Sequence, residues 1–333
     1  MTLEAQKKNL CLALALCSVF IMTWCLFQNQ RVIDMLQTGR EANSTPVERT
    51  RGSELQSTGV KQRRLDGGWY NFTVVSALID IGRGNWTRFT RSYDDYLKFF
   101  HQILGLKVNL VLFVDRKAKA VAEEKRKGME DRTRIIETTL QDIPYYKLRH
   151  RIAEIMNSTE YKKDNELVKM QLCEAFSPEY DIINWAKLYF VDRTVNENPF
   201  KNDFFIWLDG GYGHGKSIYP ANHVWKPRGL FDHADKVTFI ELKPGVGKYV
   251  TVKDKLHKIS IAVMIGGFFA GGAVAMQDLY RLQRLQVSEW MEQGITDDDQ
   301  TIYLTLYYKH PSLFRLVRGG WNDVFKLFNV GGS

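Results

Sequence analysis

Three apolar runs that each close on an aspartate constrain this chain more than any other feature. Thr73-Val-Val-Ser-Ala-Leu-Ile-Asp-Ile81 carries Asp80 at its end, Val108-Asn-Leu-Val-Leu-Phe-Val114 meets Asp115, and Phe204-Phe-Ile-Trp-Leu208 meets Asp209. Apolar residues that do not alternate with polar ones describe strands covered on both faces. Helical patterns lie between the runs. Ser92 and Asp95 have the spacing of a helix cap, and Tyr93, Tyr96, Leu97, Phe100, Ile103 and Leu104 follow with Gly105 behind them. A charged helix over Lys117–Lys127 and a short strand over Arg134–Thr138 come next. Ser177 and Pro178 open a further helix within a helical region from Pro144 to Val191. Strands are expected at Lys236–Leu242 and Ile259–Ile265, and a long helix from Gly272 to Gln293. Such alternation gives an α/β layered fold on a largely parallel sheet, with ligands bound beyond the carboxyl ends of the strands.

The amino-terminal end differs in kind. Leu10–Phe27 holds 18 residues without a charge, preceded by Lys7 and Lys8. That length spans a bilayer, and the charge bias leaves residues 1–9 as a cytoplasmic tail. The run exceeds the core of a cleaved signal peptide, and no small-residue cleavage site follows it. Residues 10–27 therefore read as the transmembrane signal anchor of a single-pass type II protein. Residues 28–66 are too polar to fold alone and read as a flexible stem. Gly67-Gly68 opens a domain over 67–333. Asn43, Asn71, Asn85 and Asn157 each begin an N-x-[ST] triplet, as a lumenal glycoprotein would. Asn71 and Asn85 flank a buried strand, which predicts poor access. Cys11, Cys17 and Cys25 lie in the apolar run and leave Cys173 alone outside it, so no intrachain disulfide is expected.

Of the formal charge of +8, residues 1–66 supply nine basic and six acidic side chains. The remaining excess suits an anionic small ligand, and no nucleic-acid motif accompanies it.

Three stretches have the residues for chemistry. In Trp207-Leu-Asp-Gly-Gly-Tyr-Gly-His-Gly-Lys-Ser217, a strand-end carboxylate precedes a glycine-rich loop. Asp209 could hold a divalent ion bridging to a diphosphate, with His214 and Lys216 facing the phosphates. The same letters fit G-x-x-x-x-G-K-[ST], the phosphate loop of nucleotide triphosphatases. Pro220 and Pro227 stand where that motif needs a helix. Ile261–Gly272 reads as a buried strand followed by a tight glycine turn, whose N–H groups approach a ligand. Its apolarity also fits a second membrane helix, against the charge rule. Asp297-Asp-Asp-Gln300 precedes a helix from Thr301 to Tyr308 and exceeds what a cap needs, so Asp298 or Asp299 is a candidate general base. Tyr212 and Trp225, read as loop residues, are candidates for stacking on a base or sugar.

These stretches together resemble the HtrL/YibB family, also labelled WlaTC/HtrL glycosyltransferases. The landmarks are TVVSALIDIGRGNW (Thr73–Trp86), NLVLFVD (Asn109–Asp115), LQDIPYY (Leu140–Tyr146), FFIWLDGGYGHG (Phe204–Gly215), GGFFAGG (Gly266–Gly272) and DDDQT (Asp297–Thr301). The resemblance covers most of Thr73–Phe314. It implies a GT-A-like, Rossmann-type layered domain acting on a nucleotide sugar. Such folds usually carry Asp-x-Asp for Mn²⁺ or Mg²⁺, whereas this chain has Asp209-Gly-Gly211. A second ligand could come from His214 or from Asp297–Asp299, or a cation such as Lys216 or Arg83 could replace the ion. Asp80, Arg83 and Asp115 match nucleotide-holding positions. Gly266 and Gly267, with Gln300, resemble the loop facing donor sugar and acceptor.

The reading is a Golgi-type lumenal glycosyltransferase that moves a sugar from a nucleotide sugar to a hydroxyl of a glycan or glycoconjugate. A non-catalytic sugar-binding protein of the same fold is the second reading, and a phosphate-loop enzyme the third.

Overall fold

The computed structural model describes residues 72–329. The membrane segment 10–27, the stem 28–66 and the triplets at Asn43 and Asn71 lie outside these residues. Among the described residues seven strands form one sheet: β1 (Phe72–Leu78), β2 (Asn109–Val114), β3 (Thr133–Glu137), β4 (Phe204–Leu208), β5 (Val237–Glu241), β6 (Met264–Gly272) and β7 (Phe314–Arg318). Their order is β3-β2-β1-β4-β6-β5-β7. Every neighbouring pair is parallel except those that β6 makes with β4 and β5. The expected mixed α/β fold on a mostly parallel sheet is present.

The unbroken apolarity of the strands follows from cover on both faces. In β1, Val74 and Leu78 pack with one cluster and Val75 with the other. In β4, Ile206 and Leu208 point one way and Phe205 and Trp207 the other. Helices α1 (Tyr93–Leu104) and α2 (Arg116–Lys125) cover the first face through Phe100, Leu104, Ala118 and Ala122. Helices α3 (Arg149–Asn157), α4 (Pro178–Glu197), α5 (Ala273–Gln293) and α6 (Asp299–Lys309) cover the second through Ile152, Trp185, Leu279 and Ile302. Each large apolar side chain so buried stabilises the fold by about 1.5–3 kcal/mol.

Local signals place the helix ends. Ser92 caps α1 by accepting from the Asp95 N–H, and Ser177 caps α4 with Pro178 in its first turn. Gly294, at φ 70°, closes α5.

Three expectations need correction, and two alternatives that the sequence argued against fall away. The segment Gly266–Gly272 is strand, not turn. β6 begins at Met264 and runs through Gly272, paired with β4 from Leu208↔Phe268 to Phe204↔Gly272. Phe268 enters one core and Phe269 the other, and this double burial outweighs the conformational freedom of the glycines. The same strand disposes of a second membrane helix there, and no helix among the described residues is long and apolar enough to cross a membrane. The phosphate-loop match is also not a phosphate loop. Residues 217–227 hold no helix, and the next helical turn is Arg228–Phe231. Without a helix N-terminus behind Lys216, the phosphate-binding geometry of that motif is missing. Trp225 is not a free loop aromatic: it is 2% exposed, and its Nε1–H donates to Phe328 O at 3.1 Å. Finally, Asn85 is exposed in the turn Arg83–Asn85, because β1 already ends at Leu78. Asn157 is exposed at the end of α3.

Candidate functional site

The sheet order reverses between β1 and β4, since the chain leaves β1 toward β2 and returns to the other side at β4. Open α/β sheets bind ligands at such a switch point, beyond the carboxyl ends of the strands. A cavity of about 560 Å³ lies there. It is lined by residues after β1 (Asp80, Arg83), after β4 (Asp209, Tyr212, His214, Lys216), at the start of β6 (Gly266, Gly267), at the start of α6 (Asp298, Asp299, Gln300) and along α4 (Tyr180, Asn184, Lys187).

Of the expected ligand-facing residues, Asp115 is the exception. It caps α2, its Oδ1 accepting from the Lys117 and Ala118 N–H groups. Its Oδ2 accepts from the Asp80 N–H and from the Tyr93 hydroxyl. Asp115 thus ties the ends of β1 and β2 together at the side of the cavity. Asp80 itself is exposed, with Oδ1 accepting from the Gly82 N–H. Tyr212 lines the cavity but is only 5% exposed, and its hydroxyl accepts from the Val324 N–H.

The floor is built around Lys187. Its ammonium lies 2.7 Å from Asp299 Oδ2, 3.3 Å from Asp209 Oδ1 and 3.1 Å from Gly266 O. Burial alone would lower the pKa of this lysine, but Asp209 and Asp299 outweigh it and hold the group charged. Asp209 Oδ1 also accepts from Trp207 Nε1–H at 2.7 Å, and the Asp209 N–H donates to Gly267 O. Asp299 can lie this close to β6 only because residue 266 has no side chain: a methyl group there would fall 2.6 Å from Asp299 Oδ1.

Asp298 is the N-cap of α6, with Oδ1 accepting from the Gln300 N–H and Oδ2 from the Gln300 side-chain amide. Burial, and then the charge of Glu174, push its pKa up to about 6 against the pull of Lys187. Asp299 is pushed up to about 7, mainly by burial and by Asp298. Behind the floor, Asp297 and Asp181 are raised well above the usual carboxylate range, burial being the main cause. The Trp185 Nε1–H donates to Asp297 O at 2.9 Å and fixes the start of α6 against α4.

The rim is basic. Arg83 Nη1 donates to the Tyr96 hydroxyl at 2.8 Å, and its guanidinium lies over the rings of Trp86 and Tyr180. Arg91 lies over Tyr96 and Phe99. Lys216 and His214 are exposed. Among the described residues, none of Arg83, Arg91 and Lys216 has a carboxylate within ion-pair distance. Unpaired cations on a concave surface favour a multiply charged anion.

The residues do not fit the divalent ion that the resemblance implies. His214 stands at the exposed rim, and Asp209 and Asp299 both face the Lys187 ammonium. Among the described residues no group of three His, Cys, Asp or Glu side chains is placed to hold a metal.

Lys187 was not singled out from the sequence. A signal was present: Tyr180, Asn184 and Lys187 recur at helical spacing inside a helix whose other positions are largely apolar. Such a polar stripe on a buried helix marks a face turned to a site.

Fold and site together define an α/β protein with a ligand cleft at the switch point of a mostly parallel sheet. Residues 70–330 match the family described as "Bacterial protein of unknown function (HtrL_YibB)", and the chain belongs to that family. Protein HtrL of Escherichia coli strain K12 is 28% identical over 269 residues, covering 77% of this chain and 92% of that protein. Among solved structures, mouse xyloside xylosyltransferase 1 in its apo form overlaps with a TM-score of 0.40 at 12% identity, covering 77% of this chain and 93% of that one. The 4-diphosphocytidyl-2C-methyl-D-erythritol synthase of Anaerococcus prevotii overlaps with a TM-score of 0.36 at 8% identity, covering 75% and 88%. Overlap of that extent bears on neither fold nor function.

Proposed function

We propose that this chain is a nucleotide-sugar-dependent glycosyltransferase of GT-A-like organisation, acting on a hydroxyl acceptor. The observation that carries the reading is the pairing of a basic rim with a carboxylate floor in one cavity at the sheet's switch point. Arg83, Arg91 and Lys216 take the diphosphate, and exposed Asp80 is placed for ribose hydroxyls. The acceptor oxygen attacks the anomeric carbon as the carbon–oxygen bond to the diphosphate breaks. The diphosphate leaves with the bonding electron pair, and the acceptor proton passes to Asp298. A carboxylate raised to about 6 is ionised at neutral pH yet basic enough to take that proton as the bond forms. Positioning two substrates and meeting the leaving charge supply the rest of the acceleration.

Purified chain is incubated with UDP-, GDP- and CMP-sugars, and thermal stabilisation and nucleotide release are both measured. A ligand that binds the folded state must raise the melting temperature. Stabilisation by UDP- or GDP-sugars with slow release of the nucleoside diphosphate is expected, and none by CMP-sugars, which carry no diphosphate. No stabilisation and no release with any donor would sink the reading. Binding without release in the presence of varied acceptors would favour a non-catalytic sugar-binding protein. That second reading has one observation in its favour: Asp209 and Asp299 are both engaged by Lys187.

A Golgi-type, type II lumenal setting is proposed from Leu10–Phe27 and from the exposed Asn85 and Asn157. A mobility shift on treating the chain expressed in animal cells with an N-glycosidase tests it. No shift removes the support of the triplets.

A further inference from the structure

A nucleotide diphosphate brings several negative charges into a site. Enzymes commonly meet them with a divalent ion bridged to strand-end carboxylates. In this chain that place is filled by a side chain. Lys187 reaches in from α4 and meets Asp209 after β4, Asp299 at the start of α6 and the Gly266 carbonyl in β6. An ammonium has three N–H donors, and three oxygen acceptors from three elements surround this one. A second cation between the same two carboxylates would sit within a few ångströms of the ammonium and be repelled by it. The ion pair is also built in. Asp299 is 2% exposed and Lys187 9%, Gly266 leaves room for the carboxylate, and Trp207 Nε1–H fixes the second carboxylate from the side.

We propose that Lys187 is the resident cation of this site, standing where a divalent ion would stand, so that the cavity takes a diphosphate ligand without recruiting Mn²⁺ or Mg²⁺. The ligand class rests on the transferase reading, whereas the exclusion of the metal rests on Lys187, Asp209 and Asp299 alone. Because its ammonium is buried and turned to Asp209, Asp299 and Gly266, Lys187 is a positioning residue. It orients Asp209 and Asp299, and its charge acts on the ligand through the field rather than by contact. The hydrogen bonds to the phosphates come from Arg83, Arg91 and Lys216 on the rim.

The test is a titration of the full chain with Mn²⁺, read by electron paramagnetic resonance, for the wild type, Lys187→Gln and Lys187→Gln/Asp209→Asn. The wild type is expected to bind no Mn²⁺ stoichiometrically. Lys187→Gln is expected to gain one Mn²⁺ per chain, at least tenfold tighter than any residual binding to the wild type, and the second substitution to abolish it. A purely structural lysine would not produce that gain. One Mn²⁺ per wild-type chain, lost in Asp209→Asn, overturns the proposal, and this arm decides alone if Lys187→Gln does not fold. In a second arm, UDP and GDP are added with EDTA or with MnCl₂, and the melting temperature is followed. Equal shifts support the proposal, and a shift that requires Mn²⁺ overturns it. If neither nucleotide shifts the melting temperature in either condition, the transferase reading fails, while a wild type that excludes Mn²⁺ still upholds the assignment of Lys187.

Discussion

At the floor of the cavity Lys187 and Asp299 are 9% and 2% exposed, and the lysine reaches partners in three elements. At the rim Lys216 and His214 are exposed, and the cations there find aromatic rings and hydroxyls rather than carboxylates. The two regions carry opposite parts of the same task. The floor is complete before any ligand arrives, because a buried charge without a partner is too costly to leave open. The rim is complete only with an anion in place. Floor residues should therefore report on stability first, and rim residues on binding first.

Lys187→Met offers the largest effect. It leaves two carboxylates facing an apolar side chain, and about 3–5 kcal/mol of stability should be lost in a urea melt. A loss below about 1 kcal/mol would place Lys187 with the rim instead. Adding Asp299→Asn to that variant removes the buried charge and should recover part of the loss.

Gly266→Ala comes next. The added methyl group overlaps the Asp299 carboxylate against a fixed strand, and about 1–3 kcal/mol should be lost by the same melt. The same substitution at Gly229, where a Cβ meets nothing within 4 Å, is the control.

The third effect separates the two regions through pH. With Asp298 at about 6 as the base, protonation removes the active form. The rate of transfer should hold above about pH 6 and fall tenfold per unit below it. A pH–rate profile that stays flat to pH 5 would take the base role from Asp298. The same raised pKa makes the folded state bind more protons than the unfolded state between the ordinary aspartate value and about 6. Asp298 therefore lowers stability as pH rises through that window, by about 3 kcal/mol in all.

Lys216→Ala is the smallest. Its side chain is exposed, so stability should stay within about 0.5 kcal/mol of the wild type. Nucleotide affinity should fall severalfold, with a shallower dependence on salt, as calorimetry at two ionic strengths would show. A stability loss as large as that of Gly266→Ala would erase the distinction between rim and floor.

The strands that end in aspartate were legible because double cover leaves a continuous apolar run in the sequence, and the turn after β4 because glycine clusters punctuate it. Asp298 and Asp299 were legible as more acid than a helix start needs. Three features were not. β6 looked like a turn because glycine lowers strand propensity, and only the cores that receive Phe268 and Phe269 show why it is a strand. Asp115 has the same local signature as Asp209, a carboxylate after a buried strand. Which of them faces the cavity depends on the sheet order, which no local pattern carries. Lys187 lies in the middle of a helix, 22 residues before Asp209 and more than a hundred before Asp299, the acid of α6 that it meets. The pairing exists only in the packed structure.

The reversed direction of β6 has a consequence for how this site can change. Because β6 runs against its neighbours, its amino end lies beside the carboxyl ends of β4 and β5, and part of the cavity wall is main chain. A carbonyl of Gly266 holds the lysine, and a carbonyl of Gly267 holds the Asp209 N–H. Main-chain groups are the same whichever residue supplies them, so substitution can alter this wall in shape but not in the acceptors it offers. Variation in what the cleft accepts is then expected in residues with side chains that line it, such as Tyr96, Arg91, His214 and Trp321.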